Sequence, residues 1–149
     1  MISQKLVQLI ERHADELTAR WLKDVRQNPD TFSFHRYPEE KLREEAYDLY
    51  SHLGRWIQSE VNRGQAEEVF TKLGTQRYHG GFKLSEVVKS LVLVKRHLWL
   101  FVQEQGFFES AVELYQVLEL FNSVILFFDR ATFFVVRGFE KEANLYRNP

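Results

Sequence analysis

The chain has 149 residues, the length of one ordinary domain, and that is enough to bury a core. Its composition, 44% hydrophobic, 15% aromatic and 28% charged, is that of a folded globular protein and excludes a disordered one. With 20 Lys and Arg against 21 Asp and Glu the net charge is −1, so the chain as a whole does not attract a polyanion and nucleic acid is not an expected partner.

The N-terminus, Met1-Ile2-Ser3-Gln4-Lys5, turns at once into a charged amphipathic pattern, which is not that of a signal peptide. Ile2, Leu6, Leu9, Ile10, His13, Leu17, Trp21 and Val25 step mostly by three and four and predict one face of a first helix. Asn28-Pro29-Asp30 ends it, because proline disfavours helix in the residue before it. Thr31 to Tyr37 reads as aromatic-rich and irregular; a strand there would have no partner. Pro38 looks like a first-turn proline, followed by Glu39 and Glu40 where carboxylates favour a helix N-terminus. Leu42, Ala46, Leu49, Tyr50, Leu53, Ile57 and Val61 give a second helix its stripe, with a stop expected at Asn62-Arg63-Gly64. Ala66, Val69, Phe70 and Leu73 mark a shorter third helix closed by Gly80-Gly81.

A fourth helix opens near Leu84 or Ser85, and its Leu91-Val92-Leu93-Val94 segment, apolar on all sides, predicts a central buried position. The last helix begins after Gly106 and runs to about Leu145. Eight of the 13 Phe lie between Phe107 and Phe139, so this segment should build much of the core. Its longest apolar run, Val124 to Phe128, meets Asp129 and Arg130, well short of the roughly 20 apolar residues of a membrane helix. No membrane association is expected. Its apolar content still exceeds one stripe, so it is either sandwiched between helices or meets a second subunit. Phe127, Phe128, Phe133 and Phe134 are the candidates for a dimer seam or relay. The fold class is all-α, one domain over 1–149, a bundle of about five helices.

No cysteine is present, which removes disulfides and thiolate chemistry and is compatible with a reducing cytoplasm. No Gly-x-Ser-x-Gly elbow, phosphate-cradling loop or His-Glu-x-x-His pair occurs, so no catalytic residue and no enzyme activity are expected. His13, His35, His52, His79 and His97 show no metal-site spacing; His13 reads as a core or boundary imidazole, His52 and His97 as boundary residues and His35 as a solvated loop residue. Neither a metal nor a cofactor is expected. The pairs Glu39-Glu40, Glu44-Glu45 and Glu67-Glu68 point about 100° apart on a helix and read as solvated faces. The third helix's stripe, continued from Phe70 and Leu73, reaches Arg77. An inward guanidinium either meets a carboxylate or anionic ligand or snorkels to the helix end. Trp21, Trp56, Trp99, Tyr78 and the Phe cluster either pack together or line a pocket.

The segment Leu73-Gly74-Thr75-Gln76-Arg77-Tyr78-His79-Gly80-Gly81-Phe82-Lys83-Leu84 resembles the RsbRD N-terminal type of sensor domain, named for the RsbT co-antagonists of the stressosome. Arg20-Trp21-Leu22 resembles that family's Arg-Trp signature, and Tyr37-Pro38-Glu39-Glu40 its second-helix opening. Phe127-Phe128-Asp129-Arg130 through Arg137-Gly138-Phe139-Glu140 resembles its closing helix, so the likeness spans nearly the whole chain. It implies a non-catalytic, cytoplasmic signalling input domain, distantly globin-like. Its expected partners are a second copy, a small-molecule ligand, and a downstream signalling protein or fused output module. The chain is then either a stand-alone version or the input part of a longer protein. Arg77, Tyr78, His79 and Trp99 are the candidate ligand-binding residues. The same segment is similar to the proximal region of haem-binding sensor globins, which implies haem or another hydrophobic cofactor as the alternative. Aligning Gly74 and Gly81 with that family's glycines puts Arg77, which stays protonated, where the iron-ligating His stands. His79 lies two residues on, about 200° around the helix.

Overall fold

The computed structural model describes residues 4–58, 63–106 and 108–147. The helices are α1 (Gln4–Arg12), α2 (Ala14–Val25), a 3-10 helix (Pro29–His35), α3 (Glu39–Ser51), α4 (Leu53–Ile57), α5 (Arg63–His79), α6 (Leu84–Glu104) and α7 (Ala111–Arg147). The fold is all-α, and there is no strand among the described residues.

The expected first helix is broken at His13 (φ −103°, ψ 21°) and the expected second at His52 (φ −121°, ψ 29°). At both breaks the imidazole Nδ1 bonds the carbonyl four residues back, Leu9 O at 2.8 Å and Asp48 O at 3.2 Å. At His13 the ring takes the place of the backbone N–H, which turns to Ile10 O at 3.0 Å; at His52 the backbone N–H keeps its bond to Asp48 O at 3.2 Å. Asn62, part of the expected stop, lies outside the described residues; Arg63 and Gly64 open α5 instead, which makes that helix 17 residues long rather than short. Gly64 is exposed and a Cβ there would meet nothing within 4 Å. Gly64→Ala should therefore raise stability by about 0.5–1 kcal/mol, read as a higher urea midpoint, since it removes unfolded-state freedom without strain.

The Thr31 to Tyr37 stretch is not irregular throughout. Pro29 opens the 3-10 helix, the Asn28 side chain accepts from the Asp30 N–H at 2.9 Å, and the turn is interrupted at Thr31 (φ −130°, ψ 43°). His35 belongs to this helix and is half-buried, its Nε2 2.9 Å from Asn28 O, rather than solvated in a loop.

One core cluster draws buried residues from every helix, from Leu6 of α1 to Val135 of α7. Tyr50 and Trp21 bury their rings there and satisfy their polar tips on α6: the Tyr50 hydroxyl donates to Val94 O (2.8 Å) and the Trp21 indole to Ser90 O (3.0 Å). Burial pushes the Tyr50 phenol far above its ordinary pKa, so it stays a neutral donor. Tyr50→Phe should lower stability by about 1 kcal/mol in thermal or urea unfolding, because the buried hydroxyl's hydrogen bond to Val94 O is lost. In the segment expected to be buried on all sides, Leu91, Leu93 and Val94 are buried but Val92 is exposed.

The most extensive helix pair is α5 with α7. Two mid-helix glycines set its closeness. A Cβ on Gly74 would stand 2.0 Å from Val135 O and 2.8 Å from Phe139 N; one on Gly138 would stand 2.2 Å from Thr71 O. The two backbones therefore touch directly. By length and composition alone α7 is apolar enough to cross a membrane, with a window of mean hydropathy 1.5. Counting the longest unbroken run missed this, because isolated polar residues such as Asn122 and Ser123 interrupt the run without removing the average. Only 28% of that window is buried, so α7 keeps an apolar outer face beyond the one that covers α5.

Candidate functional site

Arg77 sits in the last turn of α5 on the stripe of Phe70 and is 4% exposed. Its guanidinium pairs with the Glu45 carboxylate of α3, with a second contact at 3.5 Å. It also lies over the rings of Phe34 (5.6 Å), Tyr37 (5.3 Å) and Phe82 (5.0 Å). The helix end that follows builds this cage. Gly81 adopts φ +78°, and the N–H groups of Gly81 and Phe82 donate to Tyr78 O and Arg77 O, both at 3.1 Å. That is a Schellman turn, and it folds Phe82 back over the guanidinium three positions from the helix end. Gly80-Gly81 thus serves the backbone. Glu45, read as part of a solvated face, is turned inward, while Glu44 beside it is exposed.

Beside this pair lies a cavity of about 420 Å³. Trp21, Leu49, Trp56, Phe70, Leu91 and Val94 form its apolar floor; Glu44, Glu45, Asp48, Lys72, Gln76 and Arg77 supply its polar groups. Among its lining residues there is no histidine, cysteine or methionine, so it offers iron no axial ligand. Among the described residues no cluster of three or more His, Cys, Asp or Glu is placed to hold a metal ion. Trp56 and Phe70 both also pack on Phe127 of α7, at 5.8 and 5.6 Å between ring centres.

The four candidate ligand residues do not converge. Arg77 lines the cavity. Tyr78 packs instead on Phe139 and Tyr146, and His79, about half exposed, pairs with Glu142 at 2.7 Å. Trp99, half-buried on α6, packs on Phe121 (4.9 Å) and Phe108 (6.3 Å). Of the α7 candidates, Phe127 and Phe128 are buried, Phe134 is half-buried beneath Arg137, and Phe133 is exposed. Glu45 and the Phe34-Tyr37-Phe82 cage were not among the candidates. The signal for them was an inward Arg77 beside an aromatic-rich segment. The Arg-Trp pair has a structural part here: Arg20 bridges Glu16 (2.6 Å) and Glu104 (3.0 Å), and the hydrogen bond it donates to Glu104 leads in raising the guanidinium pKa.

The chain is thus a helical domain with a buried, carboxylate-paired cation, a half-open cavity with an apolar floor, and a long half-covered closing helix. The family is shown directly: residues 15–145 match the model of the RsbT co-antagonist protein rsbRD N-terminal domain, and the chain belongs to that family. It is a family of stressosome-type signalling domains. No curated protein and no solved structure matches the chain.

Proposed function

We propose that the chain is a non-catalytic, cytoplasmic input domain. It pairs with a second copy through the outer face of α7, takes a small molecule or partner as its signal, and passes the change along α7. The receiver is a downstream signalling protein or a fused output module. The observation that carries this reading is the exposed stripe on α7. Val112, Leu126 and Phe133 lie on one seven-residue line, interrupted by Glu119, and are 68%, 44% and 59% exposed; Leu118 and Ile125, seven apart, are 59% and 47% exposed. Seven-residue spacing keeps side chains on one line that a second helix can cover. Two-fold pairing covers the stripes of both copies at once, at about 25 cal/mol per Å² removed from water.

The relay half of the proposal is supported by the contact of Trp56 and Phe70 with Phe127, which joins the cavity wall to the opposite face of the same helix. Sedimentation at micromolar concentration should report a dimer. Leu118→Glu with Ile125→Glu, both exposed in the single chain, should weaken pairing at least about 100-fold while helicity is kept, because two carboxylates per copy would have to be desolvated. A strict monomer of the unsubstituted chain, or binding to lipid vesicles in place of pairing, would remove this reading.

A further inference from the structure

We infer that the cavity between α2, α3, α4, α5 and α6 takes a small monocarboxylate with an apolar tail, whose carboxylate replaces that of Glu45 on Arg77 while Glu45 turns out into water. This rests on the reading above that the domain receives a small-molecule signal, and it names the class. Both members of the ion pair line the cavity, and they are unequally held. The Arg77 side chain is 4% exposed and that of Glu45 32%. Among the described residues the hydrogen bonds of the guanidinium both go to Glu45. The cation is therefore fixed and loses a carboxylate only at a cost, whereas the carboxylate that serves it already stands partly in water. A second carboxylate takes the same place at little polar cost, because Arg77 keeps a partner and Glu45 regains its hydration.

What the exchange gains is burial of the tail. The floor of Leu49, Phe70, Leu91 and Val94 is apolar, and the volume of about 420 Å³ falls in the range of small-molecule sites. The head is set by what it replaces. The planar fork of Arg77 fits a carboxylate, and a phosphate would bring a second negative charge beside Glu44 and Asp48, with Lys72 the one other cation among the described lining residues. An uncharged molecule can enter the floor but leaves Glu45 where it is. A tail seated against Trp56 and Phe70 presses on the rings that contact Phe127, which gives occupancy a route to α7.

The test uses the full chain at neutral pH in calorimetric titrations with octanoate, octanol and octylamine, which share a tail and differ in the head. Octanoate should bind saturably, roughly threefold to tenfold more tightly than octanol, and roughly tenfold more tightly than hexanoate, which buries two CH2 groups fewer. Arg77→Met should bind octanol as before and lose the preference for octanoate. Glu45→Ala supplies a sign that a wall residue with only a structural part would not give. It removes the internal competitor, so octanoate should bind about 10- to 30-fold more tightly than to the unsubstituted chain. If that variant does not fold, Glu45→Gln should move octanoate binding in the same direction by a smaller factor. The proposal is overturned if no probe binds, if octanoate and octanol bind alike, or if octylamine binds most tightly. It is overturned equally if Arg77→Met keeps the preference, or if neither Glu45 variant gains affinity for octanoate. Sedimentation of the same samples separates the two ideas. A dimer that binds no probe removes the ligand and leaves the pairing, whereas a monomer that prefers octanoate removes the pairing and leaves the ligand class.

Discussion

Gly74→Ala should destabilise the protein by about 2–3 kcal/mol, and Gly138→Ala by a similar amount, read as lower urea midpoints at unchanged slope. The new methyl group would land on backbone, 2.0 Å from Val135 O in one case and 2.2 Å from Thr71 O in the other. A clashing side chain can rotate away, but a carbonyl inside a helix cannot, so the helices must separate along their most extensive contact. Overpacking of this kind costs about 1–3 kcal/mol and sometimes more, while the better helix propensity of alanine returns only up to about 1 kcal/mol. The two substitutions act on one crossing. Once the first has moved α7 off α5, the second meets less resistance, so the double variant should lose clearly less than the sum. Gly64→Ala, in the same helix with open space around it, should move the midpoint the other way. Changes within about 0.5 kcal/mol at both Gly74 and Gly138 would mean that the helices are not held at backbone contact.

Which parts of this could be read in the sequence follows from the range of the forces involved. Gly81 and Gly106, at φ +78° and +74°, mark helix ends that only glycine reaches easily, and both ends were legible. The breaks at His13 and His52 were not. The apolar stripe runs through each of them, from Ile10 to Leu17 and from Tyr50 to Leu53, and only a ring-to-carbonyl bond marks the interruption. The inward direction of Arg77 followed from its stripe. Its partner did not, because Glu45 lies 32 residues away and shares its local pattern with exposed Glu44. Gly74 and Gly138 are visible as glycines inside helices, but nothing local says that each faces the other's helix. The excess of apolar residues in α7 was plain, whereas its division was not: adjacent Phe127 and Phe128 are both buried and Phe133 is out. The cavity was the least legible feature, since it is space left by five elements rather than a property of any one of them.

The Arg77–Glu45 pair leads to an order of effects that runs against side-chain size. Glu45→Ala should cost about 2 kcal/mol although its side chain is 32% exposed, because it strands a guanidinium that is 4% exposed. Removing one member of a buried pair costs about 3–5 kcal/mol in general; the three aromatic faces around Arg77 reduce that here by keeping part of its stabilisation. Arg77→Ala should cost about 3 kcal/mol, since it also empties the cage of Phe34, Tyr37 and Phe82. Arg77→Met should cost only about 1 kcal/mol or less. It fills the same space without a charge, and Glu45, already partly in water, turns outward. Arg77→Lys keeps the charge but loses the planar contact with the rings, and should fall between methionine and alanine. The decisive measurement is the double variant Arg77→Met with Glu45→Ala. It should be more stable than Glu45→Ala alone, because the cation that the single change strands is gone. If Glu45→Ala leaves the urea midpoint where it was, the aromatic cage alone holds the guanidinium, and the carboxylate is free to turn away without loss of fold.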